Sequence, residues 1–171
     1  MQRNIKILFV CHGNICRSPM CEFILKDLAV KSGYRVAGVG GASVEDADFV
    51  IRSAATSIEE IGNHVYPPAI KKLAEHGIGT PDNDLGVAGK TARQVTMTDY
   101  EYYDVIVCMD NNNLRNIGRI IGKDSSNKVK LLLDYAGRLG EEVADPWYTG
   151  DFEATWQDGL EGCRALLKNL T

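Results

Sequence analysis

The segment from Asn4 to Met20 sets the terms for the rest of the chain. Ile5 to Val10 is an apolar, partly β-branched run that predicts a strand buried on both faces, and it stops at Cys11. A short loop follows. Ser18 and Pro19 then predict a helix start, with the serine as N-cap and the proline in the first turn, where a missing N–H is tolerated. Strand, tight loop and helix N-terminus direct several backbone N–H groups and the positive end of a helix at one point, which makes an anion site. Gly13 and Asn14 are residues that tolerate the left-handed backbone a loop needs in order to wrap around an oxyanion.

Cys11 enters this loop and Arg17 leaves it. A thiol so placed is expected to ionise readily beside the dipole, the N–H groups and the guanidinium, and the thiolate is the reactive form. Arg17 can hold two equatorial oxygens of a phosphoryl group at once, which a lysine cannot do. Cys-x5-Arg-Ser therefore reads as a cysteine nucleophile that attacks phosphorus. The competing reading is a buried strand-end cysteine beside a surface arginine, and the strand before, the glycine within and the Ser-Pro after weigh against it.

Composition narrows the setting. A chain of 171 residues suits one domain, over residues 1–171, with a sizeable core. No apolar stretch approaches the roughly 18–20 residues of a membrane span, and the first residues lead straight into strand sequence without a basic-then-apolar leader. A cytoplasmic protein with no membrane partner is expected. Five cysteines, at positions 11, 16, 21, 108 and 163, are too scattered for a secreted disulfide framework. Cys11, Cys16 and Cys21 also lack the spacing of a zinc knuckle, so no metal and no cofactor is expected. A formal charge of −4 gives no electrostatic case for nucleic acid.

Further elements follow in order. Pro19 to Lys31 has Cys21, Ile24, Leu25 and Leu28 at helical spacing, with Cys21 read as core. Residues 36–48 read as a strand edge and an exposed loop, Phe49 to Ile51 as a short strand, and Pro67 to His76 as a second helix closed by Gly77. His64 and His76, at the ends of that helix, read as caps or surface residues. The loop at 79–90 ends in Gly86-Val87-Ala88-Gly89-Lys90-Thr91, which imitates a nucleotide-binding loop but lacks its first glycine and its preceding strand. Asp104 to Met109 and Lys128 to Leu133 are two more strands. Asp110 caps a helix after the first of these, and Phe152 to Leu170 closes the chain as an amphipathic helix. Strands alternating with helices predict an α/β fold of three layers: a four-stranded parallel sheet with helices on both faces and the phosphate loop after the first strand.

A second chemical element lies at Asp145-Pro146-Trp147-Tyr148. Displacing a phenolate, whose conjugate acid has a pKa of about 10, is faster when an acid protonates the leaving oxygen. Asp145 is the candidate, because Pro146 forces it into an extended conformation that can aim the carboxyl at the site. Trp147 and Tyr148 can line a slot for an aromatic leaving group.

Cys11-His12-Gly13-Asn14-Ile15-Cys16-Arg17-Ser18-Pro19 resembles the phosphate loop of the low-molecular-weight protein tyrosine phosphatases. His12 departs from the apolar residue usual after the nucleophile. The resemblance extends to Ser53 in Ser53-Ala54-Ala55-Thr56, to Cys108-Met109-Asp110 and to Asp145-Pro146, interrupted by longer segments at 36–48 and 79–90. It implies hydrolysis of phosphotyrosine proteins or small aryl phosphates through a phosphocysteine, with inorganic phosphate or other oxyanions held in the loop. Cys11 would be the nucleophile, Arg17 the phosphoryl ligand and Asp145 the acid. His12, Gly13, Asn14, Ile15 and Cys16 would surround the phosphoryl group, and Ser18 would donate to the sulfur. Ser53 would brace the loop, and Cys16 would trap an oxidised Cys11 as a disulfide. The family often has a supporting histidine or polar residue just before Ala92-Arg93-Gln94, where this chain has Lys90 and Thr91. Relatives on the same fold suggest alternatives. Arginine phosphatases favour threonine where this chain has Ile15, and arsenate reductases need a further thiol several residues beyond Cys108, which this chain lacks. A phosphate-binding pseudophosphatase or a phosphocysteine carrier of sugar transport are rival readings that Cys11, Arg17 and Asp145 together oppose.

Overall fold

The computed structural model describes residues 3–171. Four parallel strands, β1 (Ile5–Cys11), β2 (Phe49–Ala55), β3 (Val105–Cys108) and β4 (Val129–Leu131), form one sheet in the order β2-β1-β3-β4. Six helices connect or follow them: α1 (Arg17–Lys31), α2 (Pro67–Glu75), α3 (Met97–Tyr102), α4 (Asn111–Ile121), α5 (Pro146–Thr149) and α6 (Phe152–Leu170). Ile7, Phe9, Ile51 and Val107 point to one face and pack with residues of α1, α2 and α6. Leu8, Val10, Ile106 and Cys108 point to the other, against α4 and the segment around Val95 and Tyr103. Both sheet faces are thus covered, which is why the strands read as continuous apolar runs. The fold is the expected one.

Several boundaries differ from the sequence expectation. β2 runs on to Ala55, so Ser53 lies within a strand opposite Phe9 of β1. Helix α1 begins one residue before Ser18: Cys16 is its N-cap, without a side-chain cap bond, and the Ser18 hydroxyl is turned instead to Cys11. The hydroxyl that suits a cap suits a sulfur equally well. β4 ends at Leu131, and Leu132–Asp134 is a 3₁₀ turn. Helices α3 and α5 are too short for periodicity to reveal. The first carries a capping box between Thr96 and Asp99.

The closing helix lies close against the turn after β4. A Cβ at Gly162 would collide with the Leu132 side chain, which is fully buried. Gly162→Ala is therefore expected to destabilise the fold by about 1–3 kcal/mol. A chemical-denaturation midpoint equal to that of the wild type would contradict this packing.

Candidate active site

Cys11 ends β1, flanked by the end of β2 at Ala55 and by Cys108 of β3, whose chain continues into Asp110. The connection from β1 leads to β2 on one side, while β3 lies on the other, so the crevice between β1 and β3 is the switch point of the sheet. Cys11, 3% exposed, opens at this crevice onto a cavity of about 130 Å³. His12, Gly13, Ile15, Cys16, Arg17, Glu59, Glu60, Asp145, Trp147 and Tyr148 complete its walls.

The loop holds its shape through Asn14, which has a φ of 59° and is 1% exposed. Its backbone N–H donates to Cys11 Sγ at 3.3 Å, and its amide Nδ2 donates to Ser18 Oγ at 2.8 Å and Ser53 Oγ at 2.9 Å. Ser18 Oγ in turn lies 3.1 Å from Cys11 Sγ. Gly13 does not take up the left-handed backbone expected of it. Its lack of a side chain serves close approach, since a Cβ there would come 3.3 Å from Glu60 Cγ.

Arg17 is 3% exposed, unusual for a guanidinium, and is held from two sides. Its Nη1 donates to Asp110 Oδ2 at 2.7 Å and to the Val143 carbonyl at 2.9 Å, and its Nη2 faces Asp145 Oδ2 at 3.4 Å. Burial alone would weaken its hold on a proton, but the charges of Cys11, Asp110 and Asp145 outweigh that and push its pKa above the ordinary value. Those contacts use three of the five N–H groups of a guanidinium, and the remainder are available to the cavity that Arg17 lines. Asp110 also caps α4, accepting from Asn113 N. One carboxylate therefore fixes both the helix after β3 and the arginine from β1's loop. Sequence alone assigned it only the first task.

Asp145 is extended, as Pro146 requires, and caps α5 by accepting from Trp147 N at 3.1 Å. Trp147 leans on Tyr66 with ring centroids 5.0 Å apart, and Tyr148 stands largely in solvent. Across the mouth, His12 Nε2 meets Glu59 Oε2 at 3.0 Å. Cys16 is buried beneath the loop, and its thiol is pushed up to about 12 by burial, with the charges of Cys11 and Asp145 adding to the effect.

Ser53 is fully buried and meets the loop at the Asn14 amide. Behind it stands a group that sequence reasoning missed: Glu22 Oε1 accepts from Ser53 Oγ at 2.5 Å, Lys26 Nζ donates to Glu22 Oε2 at 2.7 Å, and Lys90 Nζ donates to the Ser53 carbonyl at 2.9 Å. An acidic residue four positions before a lysine in the helix that leaves the loop was the available signal. Among the described residues no cluster of His, Cys, Asp and Glu is disposed to hold a metal, and no helix is long and apolar enough to cross a membrane.

The profile of the family described as "Low molecular weight phosphotyrosine protein phosphatase" matches residues 6–171. The protein of that name from Sus scrofa is 36% identical over 168 residues, covering 96% of this chain and 94% of its own. The low molecular weight protein-tyrosine-phosphatase YfkJ of Bacillus subtilis is 35% identical over 173 residues, covering 97% and 96% respectively. The crystal structure of YfkJ superposes with a TM-score of 0.81 over 99% of this chain and 96% of its own. A Drosophila arginine phosphatase, 28% identical, superposes at 0.77 over 98% of each chain. With its loop at the end of β1 and its match over nearly the whole length, the chain belongs to the low molecular weight phosphotyrosine protein phosphatase family and is an enzyme of that family.

Proposed function

We propose that residues 1–171 act as a single phosphatase domain that hydrolyses phosphotyrosine and aryl phosphates through a phosphocysteine. The supporting observation is the convergence of the Cys11 thiol, the buried Arg17 guanidinium and the Asp145 carboxyl on one small cavity walled by Trp147 and Tyr148. Cys11 attacks phosphorus in line. The S–P bond forms as the P–O bond to the phenol breaks, and the Asp145 carboxyl gives its proton to the leaving oxygen. Water then attacks phosphorus, the Asp145 carboxylate takes its proton, and the thiolate leaves with Ser18 donating to the sulfur. Arg17 and the backbone N–H groups of residues 12–17 hold the equatorial oxygens throughout. Once a peroxide has oxidised the Cys11 thiolate to a sulfenic acid, the Cys16 thiol condenses with it, forming the S–S bond and releasing water. Free thiols at all five cysteines suit a reducing cytoplasm.

Steady-state turnover of an aryl phosphate and a phosphotyrosyl peptide, competitively inhibited by inorganic phosphate, tests this reading. Turnover of neither would sink it. Among the alternatives, arsenate reduction is disfavoured by Cys108, which is fully buried and whose thiol is pushed far up by that burial. Arginine phosphatase activity turns on Ile15, which lines the cavity. Ile15→Thr is expected to raise the ratio of phosphoarginine to phosphotyrosine kcat/KM by about tenfold or more, since a buried polar group discriminates strongly between leaving groups. An unchanged ratio would remove Ile15 as a determinant.

A further inference from the structure

The floor of the cavity suits an anion, and its lip carries the opposite preference. Glu59 and Glu60, in the segment that follows β2, line the same cavity as Cys11 and Arg17. Glu60 lies directly on the phosphate loop: its Cγ would come within 3.3 Å of a Cβ placed on Gly13, and its carboxylate is among the charges that push the Cys16 thiol up. Among the described residues, no lysine or arginine pairs with either glutamate. Glu59 Oε2 meets the His12 ring at 3.0 Å, and Glu60 Oε2 accepts from the neutral Asn63 amide at 2.6 Å. Arg17 is buried and turned to Asp110, Val143 and Asp145.

Two carboxylates so placed repel a phosphoryl dianion on its way in. In the proposed reaction Asp145 enters with its proton, so the glutamates are the standing charges of the lip. A substrate with a cation beside its phosphate escapes that repulsion, and one with acidic neighbours meets more of it. The apolar surroundings fit the same partner. Ile58 and Ile61, 67% and 54% exposed, flank the two glutamates in the chain, and the exposed Trp147 stands on the cavity wall. Arginine and lysine cover apolar surface with their stems while their charged ends reach a carboxylate, and a guanidinium also stacks on an indole face.

We propose that Glu60, together with Glu59, is a specificity-determining residue that selects phosphotyrosine in a basic protein segment, with an arginine or lysine within two residues of it. This rests on the reading of the cavity as a phosphotyrosine site and adds the charge of the sequence around the ester.

The test compares three phosphotyrosyl peptides that differ only in the two residues on each side of the phosphotyrosine, which are arginine, glutamine or glutamate. In the wild type kcat/KM is expected to fall in that order, by about tenfold or more from first to last at low ionic strength. The spread should narrow as salt is raised to about 0.5 M. Glu60→Gln, whose amide oxygen can still accept from Asn63, should shrink the spread by about threefold or more, and Glu60→Arg should reverse the order. The glutamine variant should also lower KM for a small aryl phosphate by about twofold, whereas a variant that merely loosened the loop would raise it. Equal kcat/KM for the three peptides in the wild type, or a spread that Glu60→Gln leaves intact, would overturn the proposal. Affinities of the same peptides for Cys11→Ser, measured by titration calorimetry, should follow the same order. Turnover of no peptide would count against the proposed function, and those affinities would still decide whether basic flanks are preferred.

Discussion

Cys11→Ser is expected to lower kcat/KM for an aryl phosphate by at least about 10⁴-fold while leaving the thermal midpoint close to that of the wild type. A serine hydroxyl in the same place is not ionised near neutrality, so nothing replaces the thiolate as nucleophile. The fold should barely notice, because the site at the end of β1 is shaped by Asn14, Ser18 and Ser53 rather than by the sulfur. Inorganic phosphate should still bind, since Arg17 keeps its anchors on Asp110 and Val143. Titration calorimetry with phosphate separates loss of chemistry from loss of the site. A serine variant that retained turnover would remove Cys11 as nucleophile.

Asp145→Asn should divide its effect by leaving group. For phosphotyrosine, whose phenol has a pKa of about 10, loss of the proton donor is expected to lower kcat/KM by about 10²–10⁴-fold. An ester of a much more acidic phenol needs little help to depart, and its kcat/KM should fall far less. Its kcat should still drop, because hydrolysis of the phosphocysteine also loses the base. Asparagine can keep the cap on α5 by accepting from Trp147 N, so the loop is expected to stay in place. Equal slowing across leaving groups would show that Asp145 does not protonate them.

The sheet is legible because β1 and β3, buried on both faces, read as short, β-branched apolar runs that alternate with segments of helical periodicity. The candidate site residues are legible too: Cys11, Arg17 and Asp145 sit beside a glycine, a capping sequence and a proline that betray backbone geometry. What the sequence conceals depends on contacts between distant segments. Glu22 and Lys26 look like a solvated helical pair until β2 is packed over them, and Lys90 looks like a loop lysine until its segment turns inward. Asp110 gives away its cap but not its grip on Arg17, 93 positions earlier. Ser18 misleads in the opposite sense, since a hydroxyl at a helix start satisfies a sulfur here instead of the backbone.

Covalent attack at Cys11 is the centre of the proposed mechanism, and on that mechanism the Asp145→Asn variant should make it visible by slowing the second step. With an ester of an acidic phenol, rapid acid quench and mass spectrometry of the peptide carrying Cys11 should reveal a mass gain of one phosphoryl group within the first turnover, absent when Cys11 is serine. No phosphoryl adduct during a burst of phenol release, or an adduct on any other residue, would contradict the mechanism.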